Sequence, residues 1–302
     1  MTENIIDDTH RKSQLIQLRL LLELKKICDE NEIPFLIIGG TALGARRHQG
    51  FIPWDDDVDV GILGTEYPRF LKVMEILDSP RYLSKIDVES NHYLPFSKFR
   101  LRNTVRIEEG HWIPESESGI DIDVFPYNNI PNNKILQKLY FNIFSLLRHL
   151  YWYCCLPKDT RPKFLFEDCT LLRKIIRETV WNITQHKLTH KFVKRIIGIS
   201  LQKFSTIFNI FNTKLVLTVS AMDLNHFRVP REDFLNPTPV VFEKHKFYAP
   251  GHLDNYLTTM YGDYMTIPPE EEQIVHSVTR LEFGEYDDID SYPLSKLENY
   301  KL

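Results

Sequence analysis

Apolar and polar positions change rhythm several times along the chain, and each change marks an element. Residues 13–30, "SQLIQLRLLLELKKICDE", repeat leucine and isoleucine at helical spacing, with Ser13 as the expected N-cap. Pro34 ends that helix, and the apolar run "FLII" at 35–38 predicts a short buried strand. Gly39 and Gly40 make the next turn, and "TALGARRH" predicts a helix with Thr41 near its N-terminus. "DVDVGIL" at 57–63 alternates acid and apolar residues, as a strand with one polar face does. "EYPRFLKVMEIL" predicts a helix with Pro68 in its first turn. Residues 96–107 hold two extended runs with alternating basic and apolar positions. "SGIDIDVFPY" at 118–127 alternates again, with Asp121 and Asp123 on one face.

Beyond Asn133 the pattern turns to long helices, "KILQKLYFNIFSLLRHLYWYCC", "LLRKIIRETVWNI" and "FVKRIIGISLQKFSTIFNIF". Lys138, Arg148 and His149 interrupt the first, so it is not a clean membrane span. Its apolar stripe suits either an interfacial helix or ordinary helix–helix core. The last hundred residues return to mixed structure, with a helix expected at 251–261. The whole predicts an α/β (α+β) protein in three parts: a core at 1–130 with an N-terminal helix, a basic helical region at 131–220, and a segment at 221–302 that packs back on the core.

Charge changes this picture more than composition does. At 43% hydrophobic and 26% charged, the 302 residues are those of a soluble globular protein. The polar start "MTENIIDDTHRKSQ" reads as neither a signal peptide nor a span. Cys28, Cys154, Cys155 and Cys169 form no C-x-x-C pair, so a reduced, cytoplasmic setting is expected. The net charge of −4 conceals 15 Lys+Arg against 4 Asp+Glu in residues 131–220, or +11, which leaves −15 for the remainder. A basic middle of that kind meets an anionic glycan or a lipid surface, or simply solvates the outside of a helical subdomain. It has no nucleic-acid reading motif, and nucleic acid is not an expected partner.

The candidate chemistry sits in "IIGGTALGARRHQGFIPWDDDVDVGI". Asp55, Asp56, Asp57 and Asp59 repel one another and cost stability unless a cation or polar surface receives them. On one strand, Asp57 and Asp59 would project from backbone positions about 7 Å apart and converge on one or two Mg²⁺ ions, with Mn²⁺ as the alternative. Asp123, from the later alternating run, supplies a third carboxylate, and Asp121 is either its solvent-facing neighbour or a further acid. Gly39, Gly40 and the helix that follows can cradle a phosphate. Arg46, Arg47 and His48, with Lys98 and Arg100 on one face of a later strand, bring positive charge suited to a diphosphate.

These residues resemble the LicD family, related to fukutin and fukutin-related protein within the nucleotidyltransferase superfamily. The likeness runs through "IGGTALGARRHQGFIPWDDDVDVGI", "SKFRLRNT" at 97–104, "IDVFPY" at 122–127 and "FYAPGHLDNYLTTMYGDYMTIPP" at 247–269. The helical middle matches in placement but not in motif. The resemblance implies a nucleotidyltransferase-like core and a phosphotransferase. Its CDP-linked donor, such as CDP-choline, would give a phospho-substituent to a sugar of lipopolysaccharide, teichoic acid or capsule, releasing CMP. It implies Asp57, Asp59 and Asp123 as metal-binding carboxylates and Gly39, Gly40 and Thr41 as a phosphate-facing turn. Lys98 and Arg100, with Arg47, would contact the donor. The family usually has an apolar or aromatic residue at the position of Asp121. Transfer of NMP to a small molecule, or nucleotide or glycan binding without turnover, are the alternatives. A lipid-linked acceptor would bring the basic middle to the inner face of the cytoplasmic membrane. For a choline head group, Trp54, Trp112 and Tyr127 are candidate aromatic contacts.

Overall fold

The computed structural model describes residues 3–76, 81–86, 92–109, 118–156, 171–186, 189–273 and 278–302. Trp112 and Cys169 lie outside these residues. A 28-residue helix, α1 (Glu3–Glu30), opens the chain. Ser13 is therefore not an N-cap but a buried residue inside the helix. No glycine or proline interrupts residues 3–30, and tertiary contacts hold the earlier turns. Arg11 clamps Glu243 at 2.7 Å, and Lys12 reaches Asp287 at 2.9 Å.

The central sheet contains β1 (Leu36–Ile37), β2 (Asp59–Leu63), β3 (Arg81–Ser84), β4 (Ser97–Leu101) and β6 (Asp121–Ile130), in the order β1-β2-β6-β4-β3. β5 (Val105–Glu108) lies outside it and pairs with the late strand β11 (Val278–Glu282). β2 and β6 run parallel, and the remaining pairings are antiparallel. β6 is long enough to serve two neighbours, β4 along its first half and β7 (Leu215–Thr218) along its second. β7 in turn pairs with β8 (Arg228–Pro230). The mixed α/β class expected from the alternating segments is the class observed.

Between β1 and β2 lies α2 (Gly39–His48), and after β2 comes α3 (Tyr67–Met74). The helices of the basic middle are α4 (Lys134–Cys155), α5 (Leu171–Thr184) and α6 (His190–Ser205). Asn133 caps α4 by accepting from the Ile135 and Leu136 amides. Tyr140 of α4 stacks on Phe204 of α6 at 5.2 Å, so aromatics form the seam between these helices. The short helices α7 (Leu224–Phe227) and α8 (Glu232–Leu235) lead to the hairpin β9 (Thr238–Phe242) and β10 (His245–Ala249), then to α9 (Leu253–Tyr261). Both residues of the hairpin turn, Glu243 and Lys244, have positive φ, as a tight two-residue turn requires. Among the described residues no helix is long and apolar enough to cross a membrane.

The principal core lies where Leu18, Leu21 and Leu24 of α1 meet Val60 and Ile62 of β2 and Ile122 and Val124 of β6. Two polar side chains on the buried side of α1 reach the acidic segment. Gln14 donates to the Asp55 carbonyl at 2.9 Å, and Gln17 to the Asp56 and Asp121 carbonyls at 2.9 and 3.2 Å. The first helix thus holds the acid-rich loop and the start of β6 together.

Helix α2 returns tightly into that loop. A Cβ on Gly44 would come within 2.4 Å of the Gly50 carbonyl oxygen. Backbone cannot yield as a flexible side chain would, so Gly44→Ala is expected to cost about 1–3 kcal/mol. Urea unfolding should show this as a lower midpoint with an unchanged slope. A midpoint equal to the parent's would mean that the loop moves aside freely.

Candidate active site

Register across three adjacent strands builds the site. Asp59 of β2 lies beside Asp123 of β6, and Asp123 lies beside Lys98 of β4. Partners in register point to the same face, so acid, acid and lysine form one row across the sheet. A second row runs one pleat away, where Asp121 faces Arg100. β2 begins at Asp59, which leaves Asp57 in the preceding loop. The parallel pairing nevertheless continues past the strand end, because the Asp123 amide donates to the Val58 carbonyl at 2.8 Å.

The acids of "WDDDVD" have separate fates. Asp56 turns away and is buried against Arg106, whose guanidinium donates to its carboxylate at 3.0 Å and its carbonyl at 2.7 Å. Asp55, Asp57 and Asp59 interact electrostatically as one cluster, which Asp123 joins. Burial and then the charge of Asp57 push the Asp55 carboxyl up to about 8. Asp59 is driven well above the usual carboxylate range by burial, then by Asp57, Asp123 and Asp55. Burial also raises Asp123, although Lys98 opposes it, to about 6.

The two glycines have a role beyond flexibility. A Cβ on Gly39 would sit 2.6 Å from Asp59 Oδ2, and one on Gly40 would sit 2.7 Å from Asp55 Oδ2. They make room for carboxylates against the first turn of α2. Gly39 begins that helix with φ +54°, a conformation that glycine adopts without strain. Its amide donates to the Tyr256 hydroxyl at 3.0 Å. Thr41 is buried, and its hydroxyl accepts from the Asp59 amide at 2.8 Å. The threonine therefore pins the start of β2.

The cationic candidates separate into two groups. Lys98 lies 2.8 Å from Asp121 Oδ1 and 2.6 Å from Asp123 Oδ1, and these acids overcome burial to raise its pKa. Arg100 donates to Asp121 at 2.5 Å and to the Gly119 carbonyl at 3.1 Å, one row removed from Asp59. Asp121 is the counter-ion of both. Burial opposes its charge, but Arg100, Lys98 and Arg106 hold it well below the usual carboxylate range. Arg47 donates to the Tyr264 carbonyl at 2.9 Å and lies over the Trp54 ring at 5.9 Å. It ties the C-terminal segment to α2 and occupies one face of Trp54. Arg46 pairs with Asp254 of α9 at 3.0 Å.

Three tyrosines line the acids. Tyr127 is hydrogen-bonded to Tyr256, and burial holds both phenols protonated, Tyr256 up to about 12. Tyr261 also feels the charges of Asp59, Asp55 and Asp57. Sequence reasoning singled out Tyr127 as an aromatic but did not assign Asp55, Tyr256 or Tyr261 to the site. Asp55 shares the parity of Asp57 and Asp59, but Asp56 breaks the acid–apolar alternation before it is reached. The stretch "FYAPGHLDNYLTTMYGDYMTIPP" at 247–269 holds both late tyrosines, and a motif carries no contact.

Among the described residues no three acidic, histidine or cysteine side chains converge closely enough to enclose an ion by themselves. A hard cation bound through two carboxylates, with water and a ligand's phosphates completing its shell, needs no such cage. Asp59 and Asp123 on neighbouring strands suit that mode. Asp123 Oδ1 is buried, and Lys98 meets it as an ion pair at 2.6 Å. Chemically, the arrangement can receive positive charge at Asp55, Asp59 and Asp123 and can exchange a proton near neutral pH.

The family model for the LicD/FKTN/FKRP nucleotidyltransferase domain matches residues 32–145, a span that contains α2, β2, β4 and β6 with Asp55, Asp56, Asp57, Asp59, Asp121 and Asp123. Residues 32–145 therefore carry the LicD-family domain. It is similar to the lipopolysaccharide cholinephosphotransferase LicD of Haemophilus influenzae, at 29% identity over 278 residues, which cover 89% of this chain and 96% of that protein. Shorter likenesses reach two uncharacterized Rickettsia proteins. That of Rickettsia typhi is 38% identical over 63 residues, 21% of this chain and 20% of its own. That of Rickettsia prowazekii is 44% identical over 52 residues, 17% and 20% of the two chains.

Two outcomes follow from the electrostatics. Asp55 keeps its proton to about pH 8 when folded but loses it near 3.8 in an unfolded chain. Between these values the folded state binds more protons, so Asp55 makes stability fall as pH rises. Thermal melts in chelator should show Asp55→Asn gaining on the parent from about pH 5 to about pH 8. A constant difference between the two proteins would refute the cluster's repulsion. Conversely, Asp121→Ala leaves Lys98 and Arg100 buried without their shared counter-ion and should cost about 3–5 kcal/mol. Chemical unfolding measures that loss, and a cost below about 1 kcal/mol would mean that solvent screens the group.

Proposed function

We propose that this protein moves a phospho-substituent, such as phosphocholine, from a CDP-linked donor to a sugar hydroxyl of a cell-surface glycan, with release of CMP. The observation that carries the reading is the row Asp59–Asp123–Lys98, two acids and a base in register on adjacent strands. The likeness to a lipopolysaccharide cholinephosphotransferase over nearly the whole chain favours an acceptor of the lipopolysaccharide class, free or lipid-linked. Sugars of teichoic acid or capsule would suit the same chemistry.

In this reading Asp57, Asp59 and Asp123 hold Mg²⁺ or Mn²⁺. The ion would screen the donor diphosphate and polarise its phosphorus–oxygen bond. The first turn of α2, at Gly39, Gly40 and Thr41, faces the donor phosphates with its helix dipole. The acceptor oxygen forms a new bond to the distal phosphorus while the bond from that phosphorus to the CMP oxygen breaks, and CMP leaves with the electron pair. The acceptor's proton leaves with the help of Asp123, which lies in the same row, or of the bound ion. Lys98 balances negative charge as the donor separates. Arg100 supports Lys98 through their shared partner Asp121. Arg47 keeps the 264–266 segment against α2 at the donor end. With one face of Trp54 taken by Arg47, a cationic head group would meet its other face or the exposed Tyr261.

The test incubates purified protein with Mg²⁺ and a panel of CDP-linked donors and measures CMP. Release from one donor, abolished by chelation, is the expected result, because slow donor hydrolysis needs no acceptor. Asp57→Ala and Asp59→Ala should each lower the rate about a thousandfold, the loss of several kcal/mol of metal-dependent stabilisation. Pyrophosphate release from a nucleoside triphosphate would replace this reading with nucleotidyl transfer. Binding of CDP with no turnover, even with lipopolysaccharide sugars added, would leave a non-catalytic member.

A further inference from the structure

The outer face of α4 looks unlike that of an ordinary solvated helix. Ile135, Leu139, Ile143 and Leu146 follow one another at spacings of four, four and three, so they form one stripe, with Leu136 at its edge. They are 79%, 54%, 37% and 58% exposed, while Tyr140 and Phe144 on the opposite side are buried against α6. The packed side of α4 is thus already occupied, and the aliphatic stripe is additional to it. α6 repeats the arrangement, with Phe192, Ile196 and Ile199 exposed at spacings of four and three.

Within α4 and α6 the charges have a single sign. No Asp or Glu occurs between Asp123 and Asp159 or between Glu178 and Asp223, so α4 and α6 contain none. Lys134 and Lys138 are exposed on α4, as are Arg195 and Lys203 on α6. A solvated face ordinarily mixes acids with bases, which helps keep helices soluble and apart. On these two helices exposed aliphatics stand among bases alone, in a chain whose residues outside 131–220 carry a net −15.

We propose that this face docks the protein peripherally on an anionic lipid bilayer, with the α4 stripe seated in the headgroup region and Lys134 and Lys138 against lipid phosphates. Charge complementarity selects this occupant. A second copy of the chain presenting the same face would oppose base to base at a symmetric contact. An anionic bilayer supplies apolar volume and negative charge together. No helix among the described residues crosses the membrane, so the contact is interfacial. This inference does not depend on the reaction assigned to the carboxylate site.

Sedimentation of the full chain with vesicles tests it. Binding is expected to vesicles of phosphatidylethanolamine and phosphatidylglycerol, weakening as salt rises, and not to phosphatidylcholine alone. Ile135→Ser with Leu139→Ser should reduce binding about tenfold or more, since both aliphatic anchors are removed. Lys134→Gln with Lys138→Gln should reduce it about tenfold and flatten its salt dependence. Both pairs lie on the exposed surface, so unchanged melting temperatures are expected to verify the fold. Failure to sediment with either vesicle, or equal sedimentation of parent and variants, overturns the proposal. A concentration-dependent dimer that Ile135→Ser with Leu139→Ser dissolves would also overturn it and assign the face to a second copy. CMP release is not the readout, so none of these outcomes bears on the proposed reaction.

Discussion

The parallel register of β2 on β6 is the constraint on which the site depends. It puts Asp59 beside Asp123 and, through β4, beside Lys98. A slip of one residue would turn one carboxylate to the opposite face and leave the row incomplete. Interactions spread over the chain hold this register. Thr41 pins the Asp59 amide, Gln17 joins the Asp56 and Asp121 carbonyls, and Arg106 grips the loop through Asp56. Much of the polar chemistry buried under the sheet serves one alignment.

The site is electrically lopsided. At one end Asp121 is surrounded by Lys98, Arg100 and Arg106, so its negative charge is compensated. At the other end Asp55, Asp57 and Asp59 have one another, and burial adds to their repulsion. Gly39 and Gly40 tighten this end by admitting two carboxylates against a helix start. An interior selected for stability alone would replace such acids with apolar residues. The retained repulsion is stored work that an incoming cation or cationic ligand can release, consistent with the reading above.

Much of this was legible from period. Alternation in "DVDVGIL" and "IDIDVF" identified two strands and the face of their acids, and helical spacing gave α4 its ends at Lys134 and Cys155. Pairing was not legible, because period says which way a side chain points but not which strand lies beside it. Asp121 and Arg100 therefore read as solvent-facing or ligand-facing, whereas they neutralise each other in the interior. Ser13 misled for a related reason. A favourable cap residue competes with the contacts of Arg11 and Lys12, and those contacts extend the helix past it.

Chain order also explains where the recognisable motifs stop. The mouth of the site is closed by residues distant in sequence. Tyr256 takes the Gly39 amide, Arg46 pairs with Asp254, and Arg47 holds the carbonyls of Tyr264 and Thr266. Each contact couples the glycine–helix segment to the "FYAPGHLDNYLTTMYGDYMTIPP" segment, and the side chains of Tyr256, Arg46, Asp254 and Arg47 are what they require. α4 and α6 meet a different requirement. Their inner faces need aromatics that pack, and their outer faces need only exposed aliphatics among bases, which many sequences satisfy. A region defined by amphipathic pattern can lack a motif and still have a task, because a surface that meets a fluid, anionic partner needs character rather than particular residues.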